Sequence, residues 1–124
     1  MHELSIALSL VHLAQDAALQ AGAVQVKRVQ IEVGAMAGVV PEALELGFTI
    51  ATRETILESA ELRVTLVPVV VFCSPCGQEV EPTNSLSICC PLCGTPSDDI
   101  RRGQELDLVS LEIVEDPLNP EQPL

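Results

Sequence analysis

Two short segments of this 124-residue chain are near copies of one another: Cys73-Ser74-Pro75-Cys76-Gly77 and Cys90-Pro91-Leu92-Cys93-Gly94. Each reads Cys-x-x-Cys-Gly with one proline inside, and 13 residues separate Cys76 from Cys90. The pattern C-x2-C-x13-C-x2-C has the spacing of a four-cysteine zinc site. The spacing has a physical cause. Two cysteines three positions apart bring both sulfurs to one ion from a single tight turn. The glycine that follows accepts a positive φ, so backbone N–H groups can turn back toward the sulfurs. Two such knuckles complete a tetrahedron. Four thiolates leave no open position for water or substrate, so this zinc is structural. A redox reading of Cys-x-x-Cys is disfavoured because the motif comes as a matched pair. The fifth cysteine, Cys89, could replace Cys90 at C-x3-C spacing; the repeat of the knuckle favours Cys90.

The rest of the composition narrows the function. Lys plus Arg is 6 against 18 Asp plus Glu, a formal charge of −12. A protein whose partner is nucleic acid neutralises phosphates with Lys and Arg. Zinc ribbons often do so, but no Lys or Arg lies between Cys73 and Cys93. Phe48 and Phe72 are the only aromatics, which weakens any base-stacking role. Hydrophobic residues at 48 % argue for a folded chain. The first basic residue is Lys27, so no basic region precedes the apolar N-terminal stretch. His12, Gln15, Asp16 and Gln20 interrupt that stretch, which argues against a membrane span. A cytoplasmic protein is expected, where clustered cysteines bind metal rather than form disulfides.

Periodicity outlines the fold. Leu4, Ala7, Val11, Ala14, Ala18 and Ala21 recur at helical spacing, and Gly22 stands at the stop. Ile6, Leu10 and Leu13 widen the apolar face, so this helix is expected to be covered on more than one side. Val24 to Gly34 alternates as a strand. Pro41 fits the first turn of a second helix with Glu42 at its positive end, burying Leu44, Phe48, Ala51 and Thr55. Glu61 to Val67 alternates again, and Pro68 marks an edge or bulge before Val69 to Phe72. A last strand spans Glu105 to Glu115, with Leu106 and Leu108 in one phase and Leu111 and Ile113 in the other. Such a flip implies a bulge or a change of buried face. The expected class is α+β: a three-stranded sheet with two helices, interrupted by an inserted four-cysteine zinc-ribbon module. The expected domains are 1–70 plus 101–116, the zinc module 71–100, and a loose proline-bearing tail 117–124. The hinges of the insertion would lie near Pro68 and at Arg101-Arg102-Gly103.

The chain begins Met1-His2-Glu3. Taken alone, His2 reads as a polar residue ahead of a helix. The chemistry on offer is nevertheless specific. Histidine is too large for efficient removal of the initiator Met, so Met1 should keep its α-amine, with a pKa near 7.7–8.0. That amine, the His2 amide nitrogen and the His2 imidazole close adjacent chelate rings on one ion. Glu3 can add a fourth donor through its backbone or carboxylate. Nitrogen donors in a plane suit Ni²⁺ or Cu²⁺. His12, the only other histidine, lies about 15 Å further along a helix and cannot join them.

Met-His-Glu at the start, an apolar first helix, a four-cysteine module in the second half and the closing strand from Gly103 to Ile113 together resemble the HypA/HybF family. These are hydrogenase maturation factors that help insert nickel. The resemblance spans residues 1–115. It implies a nickel site on Met1, His2 and Glu3, with Ni²⁺ as transient cargo, and a structural zinc on Cys73, Cys76, Cys90 and Cys93. It also implies a nickel-handling partner GTPase and the hydrogenase large subunit as partners, and urease for some members. A metallochaperone rather than an enzyme is expected, and no Ser/His/Asp or Cys/His constellation is visible. The rival reading is a zinc-ribbon interaction module with no nickel role.

Overall fold

The computed structural model describes residues 2–82 and 88–115. The expected tail 117–124 and Met1 lie outside the described residues. The order is α1 (Glu3–Gln20), β1 (Ala23–Gly34), α2 (Pro41–Ala51), β2 (Glu61–Val67), β3 (Val70–Cys73), β4 (Gln78–Val80), β5 (Ile100–Arg102) and β6 (Leu106–Glu115). One sheet runs β2-β1-β6 and a second, smaller one runs β4-β3-β5. The class is α+β, with two helices, the expected three-stranded sheet and a clustered cysteine site.

Two compact units are present. One comprises the described residues of Met1–Ile31, Val40–Val64 and Leu108–Leu124; the other comprises Glu32–Val39 and Thr65–Asp107. In the first, α1 packs on α2. Its buried apolar residues come from one stripe of α1 (Ala7, Leu10, Val11, Ala14, Ala18), from Val26, Val29 and Ile31 of β1, and from Leu44, Phe48 and Leu57. α1 ends as expected: the Gly22 N–H returns to the Leu19 carbonyl, and Gly22 takes a φ of +78°. Arg28 bridges neighbouring strands, with its guanidinium 3.4 Å from Glu61 and 2.7 Å from Glu112.

Three expectations need correction, and the expected phase change in the last strand holds. α1 is covered along one stripe only. Leu4, Leu8, Leu13 and Leu19 are exposed, because a helix on a two-layer unit has one inward face. On α2, Leu44 and Phe48 are buried, but Ala51 and Thr55 are half-buried. The helix stops at Ala51, so the 3.6-residue period no longer applies beyond it, and Thr52 and Leu57 are buried instead. The last strand begins at Leu106, with half-buried positions at Leu108 and then at Leu111 and Ile113, so the inward phase does change along it. Arg101 and Arg102, expected near a hinge with Gly103, lie in a strand. That strand, Ile100–Arg102, has Val70 opposite Arg102 and Val71 opposite Ile100 across a bulge.

Candidate metal centre

In the second unit, β3 delivers Cys73 at its last position, and the chain then turns through Ser74–Gly77 into β4, with Cys73 opposite Gln78. The Gly77 N–H donates to the Cys73 carbonyl at 2.8 Å, with Gly77 at φ +65°. The second knuckle repeats this turn. The Gly94 N–H donates to the Cys90 carbonyl at 2.8 Å, with Gly94 at φ +75°. The positive φ is what the Cys-x-x-Cys-Gly pattern calls for. The second knuckle is anchored by the Cys90 N–H on the Thr95 carbonyl at 2.9 Å and by a bridge between Cys89 and Pro96.

The structure brings Cys73, Cys76, Cys90 and Cys93 together, with all four Sγ atoms within 4.8 Å of one another. Cys73 and Cys93 are 3.5 Å apart, and Cys76 and Cys90 are 3.8 Å apart. Zn–S bonds of about 2.3 Å in a tetrahedron require sulfur–sulfur edges of about 3.8 Å. The donor set therefore fits zinc in type, number and spacing. Cys89 is half-buried and is not among the four clustered sulfurs.

Groups around the sulfurs complete the centre. The Leu92 N–H donates to Cys90 Sγ at 3.4 Å, and Thr95 Oγ1 lies 3.2 Å from Cys93 Sγ. Hydrogen bonds from the Thr95 hydroxyl and backbone, followed by one from Cys73, pull the Cys93 thiol down to about 6. Hydrogen bonding with Cys93 and Cys73, together with burial, pushes Cys76 up to about 12. Without metal, the cluster thus holds its first negative charge at Cys93 and resists a second at Cys76. A divalent cation removes that resistance by compensating the thiolates.

Beneath the knuckles is a small core of Val69, Val71, Cys73, Val80 and Cys90, with Met36, Cys76, Ile88 and Ile100 packed on it. Ser97 Oγ donates to the Phe72 carbonyl at 2.6 Å, and the Phe72 N–H donates to the Asp99 carbonyl. Arg101 stacks on the Phe72 ring, 4.7 Å from its centre, and forks onto Asp99 at 2.9 and 3.0 Å. Sequence reasoning missed Thr95, Ser97, Asp99 and Arg101, since no spacing rule links them to the cysteines.

At the other candidate site, His2 is the exposed residue at the amino end of α1, and its carbonyl accepts the Ile6 N–H at 2.9 Å. Glu3 is buried, and its Oε2 accepts the Val40 N–H at 3.4 Å. Met1, the third residue expected there, lies outside the described residues. His12 is exposed on α1.

An α+β scaffold carrying a closed four-thiolate module, with an exposed histidine at the start of its first helix, defines a small metal-handling protein. Comparison with known proteins gives the family. Residues 1–113 match the family described as hydrogenase/urease nickel incorporation, metallochaperone, hypA, and the chain belongs to it. The hydrogenase maturation factor HypA of Chloroflexus aurantiacus is 49 % identical over 112 residues, covering 90 % of this chain and 98 % of that protein. The HypA of a Roseiflexus species is 42 % identical, covering 94 % of each. The solution structure of the Ni metallochaperone HypA from Helicobacter pylori superposes with a TM-score of 0.67 at 24 % identity, covering 94 % of this chain and 100 % of that one. This likeness concerns the fold. The chain is accordingly a member of a nickel metallochaperone family of maturation factors, not of an enzyme family. Among the described residues, no helix is long and apolar enough to cross a membrane.

Proposed function

We propose that this protein binds Ni²⁺ at its amino terminus and helps deliver it into the large subunit of a [NiFe] hydrogenase during maturation. The donors are the Met1 amine, the amide nitrogen and imidazole of His2, and Glu3. Cys73, Cys76, Cys90 and Cys93 hold a structural Zn²⁺, which ties the two knuckles and the core beneath them into one module. The protein works in the cytoplasm beside a nickel-handling GTPase. Family membership over residues 1–113 carries this reading. It is supported by the exposure of His2, because a carrier must release its cargo and an accessible chain end allows a receiving site to compete for the ion.

The zinc and nickel tasks call for different chemistry. Zinc in a closed thiolate shell exchanges slowly and stabilises folding. Nickel on amine and imidazole nitrogens is weakened by protons, since both groups must lose a proton to bind. Metal analysis and nickel calorimetry of the untagged protein test the reading. The expected result is one zinc per chain that survives dialysis and one further nickel ion bound reversibly. If no nickel bound beyond the four-cysteine site, a zinc-ribbon interaction module would be the remaining reading.

A further inference from the structure

We infer that the outward side of the α1–α2 pair, with Leu4 and Leu8 on α1 and Ala43, Leu46 and Ile50 on α2, is a docking surface for an amphipathic helix of another protein whose flanks carry Lys and Arg. The inference is independent of the nickel reading.

The two helices lie against one another with almost no gap. Glu3, at the start of α1, accepts the Val40 N–H at the start of α2 at 3.4 Å. About two turns along α2, a Cβ added at Gly47 would lie 3.3 Å from the Leu4 Cα and 3.3 Å from the Ala7 Cβ. The inward sides of the pair bury Ala7, Leu10, Leu44 and Phe48. The outward side is apolar as well. Leu46 is 64 % exposed and Ile50 45 %, one turn apart, and the half-buried Ala43 stands one turn before Leu46. Spacing of three and four residues puts these three on one stripe. On α1, Leu4 is 50 % exposed and Leu8 46 %, again one turn apart. Gly47 meets Leu4, and Leu46 precedes Gly47 in the chain, so Leu4 and Leu46 flank the place where the helices touch. Single exposed leucines are ordinary on a folded protein. Two apolar stripes beside one helix seam mark a surface that another molecule covers.

Charge and shape identify that molecule. Neither helix carries a Lys or Arg. Glu42 and Glu45 are exposed on α2, beside the Ala43–Leu46–Ile50 stripe. A second copy of this chain would bring its own Glu42 and Glu45 against these, and like charges facing one another across an interface are costly. An anionic lipid surface is repelled for the same reason. A partner with Lys and Arg along its flanks meets the two carboxylates with opposite charge, and the stems of those side chains cover apolar surface. Two helices side by side leave a furrow between their ridges, and a third helix fills it by setting its own ridge of side chains there. Apolar anchors at i, i+3 or i+4, and i+7 are the matching pattern on the partner.

The test uses the full-length, zinc-loaded protein, labelled with nitrogen-15, and two short synthetic peptides. Both peptides carry leucines at i, i+3, i+4 and i+7 spacing; the remaining positions are Lys in one and Glu in the other. The Leu/Lys peptide should bind, gain helicity by circular dichroism, and shift the amide resonances of Leu4, Leu8, Leu46 and Ile50. The Leu/Glu peptide should bind at least about tenfold more weakly. Replacing Leu46→Gln and Ile50→Gln together keeps good helix formers at exposed positions and should weaken the Leu/Lys peptide by at least about tenfold in calorimetry. Leu8→Gln on the other helix should weaken it severalfold and stands in should the double variant fold poorly. Leu92→Gln, at an exposed leucine of the zinc module, should leave the affinity unchanged. Glu42→Gln with Glu45→Gln should weaken binding severalfold and flatten its salt dependence. Native affinity in the Leu46→Gln, Ile50→Gln protein, or in Leu8→Gln, would overturn the inference, as would equal binding of the two peptides. Sedimentation of the native chain as a dimer that Leu46→Gln and Ile50→Gln separate would make the occupant a second copy and overturn it too.

Discussion

The sulfurs of Cys73 and Cys93 lie 3.5 Å apart although the two residues are 20 positions apart in the sequence. Cys76 and Cys90 make the matching contact at 3.8 Å. Each contact joins one knuckle to the other, so both segments must be in place for either to be. The hydrophobic core beneath is small, and two of its five buried members are themselves cysteines of the cluster. Metal and core are thus one structural element, and the tests on this half of the chain follow from that.

Zinc content should distinguish the adjacent cysteines. Cys90 is buried and its sulfur is one of the four, whereas Cys89 is bridged through its backbone to Pro96. Cys89→Ser should keep one zinc per chain, and Cys90→Ser should lose it or hold it far more weakly. Atomic spectrometry after dialysis reads both. Retention in Cys90→Ser together with loss in Cys89→Ser would reverse the assignment.

Chelating the zinc should melt one part of the chain before the other. A structural four-thiolate zinc contributes on the order of 10 kcal/mol to folding. The core of Val69, Val71 and Val80 is too small to replace it. Hydrogen exchange should show protection lost at the amides of Phe72, Cys90 and Ser97, which bond to Asp99, Thr95 and Ile88. Protection should persist in α1, whose buried stripe from Ala7 to Ala18 contains no metal ligand. Simultaneous loss of protection throughout the chain would show that the zinc module is not a separate cooperative unit.

Particular residues show what could be read from the sequence and what could not. The knuckles were legible because their geometry is local: four residues and a glycine fix each turn, and both glycines adopt the positive φ that the motif requires. β1 and β2 were legible through period-2 alternation. β4 and β5 were not, because Gln78–Val80 and Ile100–Arg102 are three residues long and mostly polar. Such segments carry no periodic signal, and it is pairing with β3 that makes them strands. The exposure of Leu8 and Leu13 on α1 was hidden for a different reason. Hydrophobicity shows which residues could be buried, but the available partner surface decides which of them are. The contact of Glu3 with Val40 joins residues 37 apart, and nothing in either residue announces the other.

Thr95 should control the reactivity of Cys93 in the zinc-free protein. Its hydrogen bonds lead those that hold the Cys93 thiol near 6, and Cys93 is exposed. At pH 7 that sulfur is mostly thiolate, whereas an ordinary cysteine is thiol. Thr95→Val keeps the shape and the backbone N–H but removes the hydroxyl. The thiol value should rise, and alkylation of Cys93 by iodoacetamide at pH 7 should slow by up to about tenfold. The difference should vanish above pH 9, where both proteins hold the thiolate. Equal alkylation rates at pH 7 would show that the hydroxyl does not stabilise the charge.

If the Met1 amine is a nickel donor, a Gly–Ser extension placed before Met1 should weaken nickel binding sharply. The extension leaves His2, Glu3 and every folded-chain charge in place. It converts the Met1 nitrogen from an amine into an amide, a far poorer donor at neutral pH, and the chelate loses the ring that anchored it. Affinity should fall at least about tenfold, equivalent to about 1.4 kcal/mol. His2→Ala should produce a similar loss by removing a different donor. His12→Ala should do little, because His12 is exposed and stands about 15 Å along α1 from His2. Zinc content should be unchanged in all three, since the four sulfurs lie on a separate stretch of chain. An adventitious surface-histidine site would tolerate the extension and respond to either histidine. Calorimetry on the extended and untagged proteins side by side therefore decides the matter, and unchanged nickel affinity in the extended form would remove the amine from the site.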